Sequence, residues 1–359
     1  MLLPCFDSFR KFATKPDTRI DHQFFQLSSQ MCVCFWTLDH PEYALILCSN
    51  RDEYLHRPTA PAHWHSFGPI NADNTGEGSV LSGRDLLAGG TWAGISRGGR
   101  VALLTNITEP IRKYASSRGD LASLFLLPPI PKPTLKDEID AFLDAHRDGV
   151  YAGFNLLVLS PSPSTDLGAN GGLSLEGAIL TNHGGGGTIT ARMLSEDERH
   201  VGGMSNGIEG HGAEEWPKVQ HGRQAMRDLL HGLPQDAMEA QIADQLFELL
   251  TWTSEKAPVD RSELRNTIHV KPLRVPLHTM PEGAGGATGT PPSHLYYGTR
   301  LSTVILIRRD GHVTFIERDV WTLDDSRGGE GAVPKRDSGG DRVFHFQIPR
   351  DPCAEHSSS

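Results

Sequence analysis

The chain has 359 residues and a formal net charge of -10, from 34 Lys and Arg against 44 Asp and Glu, which argues against a broad polyanion-binding surface. Hydrophobic residues make up 38% and charged residues 22%, enough to bury a substantial core and inconsistent with disorder throughout. The longest apolar stretches are strand-sized, far short of the ~20 residues a spanning helix requires, so we expect no membrane span and no nucleic-acid partner.

Residues 1–30 mix both signs of charge, and Leu2-Leu3 is their only apolar start, a poor secretory signal. We expect a poorly ordered extension here, or a mispredicted start with translation beginning at Met31. Cys5, Cys32, Cys34, Cys48 and Cys353 form an odd, sparse set, read as reduced thiols in a cytoplasmic protein. Without a secretory signal, the sequon Asn106-Ile107-Thr108 is a chance match.

Strand patterning begins at once after Met31. Cys32 to Trp36 and Tyr43 to Cys48 are β-favouring runs joined by the turn-like Asp39-His40-Pro41-Glu42, hence a hairpin. His63-Trp64-His65 reads as a solvated loop. Arg118-Gly119-Asp120 reads as the entry to a helix over Leu121 to Leu127. Val101 to Thr105, Phe154 to Leu159, Leu175 to Thr181, Thr303 to Ile307, Val313 to Glu317 and Val343 to Phe346 are further strand candidates, aliphatic enough for sheets covered on both faces.

Thr134 and Asp137 open a helix with Leu135, Ile139, Phe142, Leu143 and His146 on one face. A second helix has Pro217 in its first turn, and a third carries Met238, Ile242, Leu246 and Leu249 at helical spacing. Flexible insertions are expected near 161–172, 281–293 and 324–341, with a tail at 350–359. Gly184 to Gly187 lacks the context of a phosphate loop and reads as a turn.

Asn50-Arg51-Asp52-Glu53 crowds three charges behind a buried-type strand. Alternation sets Arg51 and Glu53 on one face and Asn50 and Asp52 on the other. Taken locally, this is a polar strand exit with a surface ion pair, and Cys32 is equally a small buried hydrophobe or a nucleophile. Cys34 shares the Cys32 face, but no second Cys pair or spaced His pair completes a metal site, so neither metal nor cofactor is expected.

Met31-Cys32, Asn50 to Glu53, Gly89 to Ile95, Leu104-Thr105-Asn106, Met204-Ser205-Asn206, Trp216-Pro217-Lys218 and Tyr297-Gly298-Thr299-Arg300 occur in one order. That series resembles the NRDE family, also called the transport and Golgi organisation 2 family, from about Met31 to Glu317. The family in turn is similar to the cysteine N-terminal nucleophile hydrolases that cleave conjugated bile acids and penicillin V.

The resemblance implies an α+β fold, a four-layer αββα sandwich over 31–349. It implies Cys32, Arg51, Asp52 and Asn206 as catalytic residues, with Asn50, Glu53, Asn106 and Arg300 in the pocket. Loss of Met31 would expose the Cys32 amine needed to take the thiol proton. In those hydrolases the arginine and aspartate are separated by two residues, whereas Arg51 and Asp52 are adjacent. Either Glu53 faces the thiol, or a bulge re-aims Asp52.

Two functions follow from the resemblance. One is Cys-dependent hydrolysis of a non-peptide amide or acyl bond, linked to secretory-pathway organisation and lipid or haem homeostasis. The other is non-catalytic binding of a small hydrophobic, lipid- or haem-like ligand. A cytoplasmic protein with Golgi or mitochondrial association fits both.

Overall fold

The computed structural model describes residues 31–349 except 69–77, 111, 128–131, 163–171, 235–236, 260, 277–293, 325–332 and 338. The expected extension at 1–30, the insertion at 281–293, the tail at 350–359 and much of the other two insertions lie outside the described residues.

The aliphatic runs build two seven-stranded antiparallel sheets. The first has the order β10 (Gly202–Met204), β1 (Val33–Thr37), β2 (Tyr43–Tyr54), β12 (His294–Arg308), β13 (His312–Asp319), β16 (Arg342–Gln347), with β11 (Leu273–Pro276) pairing β12. The second runs in chain order through β3 (Thr59–His65), β4 (Val80–Asp85), β5 (Ala93–Ser96), β6 (Val101–Asn106), β7 (Phe154–Pro161), β8 (Leu175–Thr181) and β9 (Thr190–Met193). A separate pair, β14 (Trp321–Asp324) with β15 (Val333–Arg336), gives regular structure to part of the 324–341 span.

Period-two alternation distributes side chains between layers. Cys34, Trp36 and Leu47 of the first sheet meet Leu81, Ile95, Leu103 and Leu157 of the second in a shared core. Their strand neighbours Val33, Phe35, Ile46 and Cys48 turn outward beneath Met226, Ile242, Leu246 and Phe247. Those last residues belong to α4 (Pro217–Gly232) and α5 (Glu239–Leu249). On the far side, α1 (Arg118–Leu126) and α2 (Leu135–Ala145) cover Ala102, Leu104, Leu156 and Val158. The result is an α+β fold in four layers, helix–sheet–sheet–helix, with α3 (Glu196–Val201) leading into β10.

Helix starts follow their local chemistry. The Thr134 hydroxyl accepts from the Asp137 amide at the head of α2, and Pro217 occupies the first turn of α4, where its missing N–H costs nothing. Gly222 lets α4 approach β1, since a Cβ there would come within 1.9 Å of the Phe35 ring.

Two expectations are corrected. His63-Trp64-His65 lies in strand β3, where His65 is buried because Ser82 Oγ satisfies its Nε2 at 2.9 Å. Met238 is 64% exposed, because it caps α5 from outside the helix and does not join the apolar stripe.

Candidate functional site

The β1–β2 hairpin and the β1–β10 pair converge on Cys32. Continuing their registers past Val33↔Asn50 and Cys34↔Met204 sets Cys32 opposite Arg51 on one side and Asn206 on the other. Cys32 Sγ lies 4.0 Å from the Asp52 carbonyl oxygen, and Ser205 Oγ donates to the Cys32 carbonyl at 2.7 Å. Burial pushes the thiol up to about 12, aided by the Asp52 carboxylate and opposed by the Arg51 guanidinium. With Met31 attached, this sulfur is a neutral thiol at physiological pH.

A polar cluster encloses the Met31–Cys32 peptide. The Met31 amide donates to Tyr297 Oη at 2.7 Å, and Lys218 Nζ donates to the Met31 carbonyl at 2.8 Å. Met31 itself is 2% exposed. Asp52 Oδ1 accepts from Thr299 Oγ1 at 2.6 Å, while Asp52 Oδ2 has no hydrogen-bond partner among the described residues. Burial raises the Asp52 carboxyl above its usual range, opposed by the Lys218 charge. Burial likewise lowers the Lys218 ammonium, opposed by Asp52 and by Cys32. Burial thus pushes both groups toward their neutral forms while each favours the other's charge, beside the chain that carries the thiol.

The other face of β2 looks into a cavity of about 230 Å³. Arg51, Arg57, Arg112 and Arg118 line it, with Asp85 and Trp92. Arg57 engages Asp85 at 2.6 Å, and Arg51 lies over the Trp92 ring at 4.0 Å and near Glu53 at 3.7 Å. Burial lowers Arg118 to about 10, opposed by Glu109, Glu53 and the Cys32 sulfur. The cavity thus carries more guanidinium than carboxylate, and two of its cations, Arg51 and Arg118, act electrostatically on Cys32.

Residues 31–322 match the family described as Transport and Golgi organisation 2. The chain belongs to this family. The transport and Golgi organization protein 2 homolog of Bos taurus is 31% identical over 309 residues, spanning 83% of this chain and 96% of that protein. The Homo sapiens homolog is 28% identical over 306 residues, 82% of this chain and 95% of that protein. Among solved structures, the Caenorhabditis elegans N-acylethanolamine-hydrolyzing acid amidase ortholog is similar with a TM-score of 0.40 and 12% identity, covering 77% of this chain and 92% of that chain. A mutant conjugated bile acid hydrolase from Clostridium perfringens gives 0.38 and 10%, covering 89% and 98%.

In this transport and Golgi organisation 2 family member, the family tetrapeptide splits between two faces. Arg51 and Glu53 face the cavity side, Glu53 also reaching Arg57 at 3.6 Å. Asp52 faces Lys218 and Thr299. Asn50 is directed to the helix layer, donating to the carbonyls of Leu250 at 2.9 Å and Ile268 at 3.2 Å and accepting from Ser302 at 2.6 Å. The bulge lies not in β2 but in its partner. Thr299 pairs with Asp52 and Leu301 with Arg51, which leaves Arg300 unpaired in the ladder and aimed at Thr59 Oγ1, 3.1 Å away.

Asn206 donates to the Asn106 carbonyl and its Oδ1 lies 3.2 Å from Ser205 Oγ, so one of its two amide protons is committed to holding the end of β6. Sequence reasoning missed Lys218, Tyr297, Thr299 and Arg118 as site residues. The ordered motifs contained the first three, and Arg118 was read only as a helix entry. Among the described residues, no group of three metal-ligating side chains includes Cys34, His63 or His65.

Proposed function

We propose that this chain is a cysteine-dependent hydrolase of a non-peptide amide or acyl bond, translated from Met31 and using Cys32 as nucleophile once Met31 is removed. The observation that carries this reading is the cluster around the Met31–Cys32 peptide, where buried Asp52 keeps an unpartnered oxygen and Lys218 and Tyr297 grip Met31. Once Met31 is gone, that cluster is a ready receptor for the Cys32 α-amine. The amine takes the thiol proton, sulfur attacks the substrate carbonyl, and the leaving group departs with that proton. Water then cleaves the thioester, restoring the thiol and releasing the acid.

Lys218 disfavours protonation of the neighbouring amine, which keeps it a base near neutral pH. Asp52 orients it. The free amide proton of Asn206 is our candidate donor to the oxyanion. The guanidiniums in the cavity favour a substrate bearing an anionic group. We assign the biological role to secretory-pathway organisation, supported by relatives named for transport and Golgi organisation, and extend it to lipid or haem homeostasis on the family resemblance alone.

A second reading has one observation in its favour. While Met31 remains, Cys32 is 5% exposed and its thiol is pushed up to about 12, so that form offers no nucleophile, in keeping with a protein that binds a lipid- or haem-like ligand without chemistry. Intact-mass measurement of the native protein, followed by assay of the Cys32-first form on a panel of acyl amides and acyl esters, separates the two. Hydrolysis lost in Cys32→Ala supports the enzyme. Native protein that retains Met31, or complementation of a deletion strain by folded Cys32→Ala, would overturn it.

A further inference from the structure

At the β16 edge of the first sheet, away from Cys32, three potential ligands come from three elements. Glu239 opens α5, His312 opens β13 and His345 lies in β16. The β13–β16 register pairs Thr314 with His345 and His312 with Gln347, so the two histidines are diagonal neighbours on one face. Their rings stack at 5.6 Å with an interplanar angle of 21°. One ligand atom from each of Glu239, His312 and His345 lies within 4.8 Å of the other two.

The hydrogen bonding around this group prepares it further. Thr314, 3% exposed, donates its only hydroxyl proton to Glu239 Oε2 at 2.7 Å. Its 3.0 Å contact with His345 Nδ1 must then be donated by the ring. That fixes the tautomer and leaves the His345 Nε2 lone pair available, as an outer-shell hydroxyl does for a metal-bound imidazole. One carboxylate and two neutral imidazoles match a divalent transition ion in charge and softness, and they suit neither Mg²⁺ nor Ca²⁺.

We propose that Glu239, His312 and His345 form a three-ligand site for a divalent first-row transition ion, best suited to zinc. A tetrahedral ion holds its donors roughly 3.3 Å apart, so the side chains close by at most about 1.5 Å on binding. His345 is exposed and Glu239 and His312 are half-buried, which leaves the fourth position to water. The ion ties the edge strand β16 and the first turn of α5 to β13. It adds stability by binding the folded state alone.

The test uses the full chain, stripped with a chelator and titrated with Zn²⁺ by calorimetry and thermal melting. We expect one equivalent bound with a raised Tm, and no response to Mg²⁺. Glu239→Gln and His345→Ala should each weaken binding by at least tenfold, and Thr314→Val by about tenfold through loss of the tautomer lock. Circular dichroism establishes that each variant is folded, and Glu239→Gln keeps the side-chain shape. No Zn²⁺ uptake by the wild-type chain, or undiminished uptake by a folded His312→Ala/His345→Ala double variant, would overturn the proposal.

Discussion

Alkylation of Cys32 offers the sharpest test of how the Met31–Cys32 peptide controls reactivity. An ordinary cysteine, with a pKa of about 8.5, is roughly one-quarter thiolate near pH 8. With Met31 in place the Cys32 thiol is pushed up to about 12, which leaves a thiolate fraction of about 10⁻⁴ at that pH. Its labelling should therefore be roughly 10³-fold slower than that of an unstructured thiol, and slower still because the side chain is 5% exposed. The rate should climb about tenfold per pH unit across the neutral and mildly alkaline range, since the sulfur reacts only as thiolate. Desolvation also raises Cys34 and Cys48, and both are 0% exposed against 5% for Cys32, so Cys32 should label first of the three even in this form. In Cys32-first protein, the new amine and solvent access should raise the rate by two orders of magnitude or more. Quantitative peptide mass spectrometry of both forms, prepared with and without Met31 and labelled while folded, measures each rate. Equal Cys32 rates in the two forms, or faster labelling of Cys34 or Cys48, would refute the reasoning.

Lys218→Met should push the Asp52 carboxyl further up, so that it is protonated at neutral pH, and destabilise the fold by about 1–3 kcal/mol, whereas Asp52→Asn/Lys218→Met should recover part of that loss in chemical denaturation. Cys32→Ala, by contrast, should cost only about 1 kcal/mol, because a methyl group replaces a small buried thiol. Gly222→Ala drives a methyl into the Phe35 ring and should cost about 1–3 kcal/mol or more; an unchanged melting curve would show that α4 does not dock there as described. On the proposed mechanism, Asn206→Ala in Cys32-first protein should lower kcat about 10²-fold with little change in KM. Arg118→Gln should instead raise KM or ligand Kd for an anionic substrate by about tenfold, as expected for loss of one charge-assisted contact.

The hairpin carrying Cys32 was legible because its two runs are continuously apolar and a four-residue polar turn divides them. Hairpin geometry alone was enough to bring Arg51 beside Cys32. The partners of Asn50 were not legible, because Leu250 and Ile268 lie 200 and 218 residues further along the chain. A buried cation has no sequence signature: Lys218 looks like any polar residue at a helix start, and only the fold gives it 0% exposure beside Asp52. Arg118 was hidden for the same reason, its burial arising from the docking of α1 on β6. His63-Trp64-His65 looked soluble because burial of His65 depends on a hydroxyl supplied by another strand.

The pairing of β2 with β12 sets a clock. Met31 is sealed by Tyr297, 266 residues further along the chain, so the pocket cannot close until that strand has been made. At about 5–20 residues per second, a ribosome leaves the Met31–Cys32 bond uncovered for roughly 15–50 s. On the proposal that translation begins at Met31, an aminopeptidase working on nascent chains has that interval to remove it. Afterwards the bond lies at the bottom of a finished sheet, and the form of the protein that was made is the form that persists.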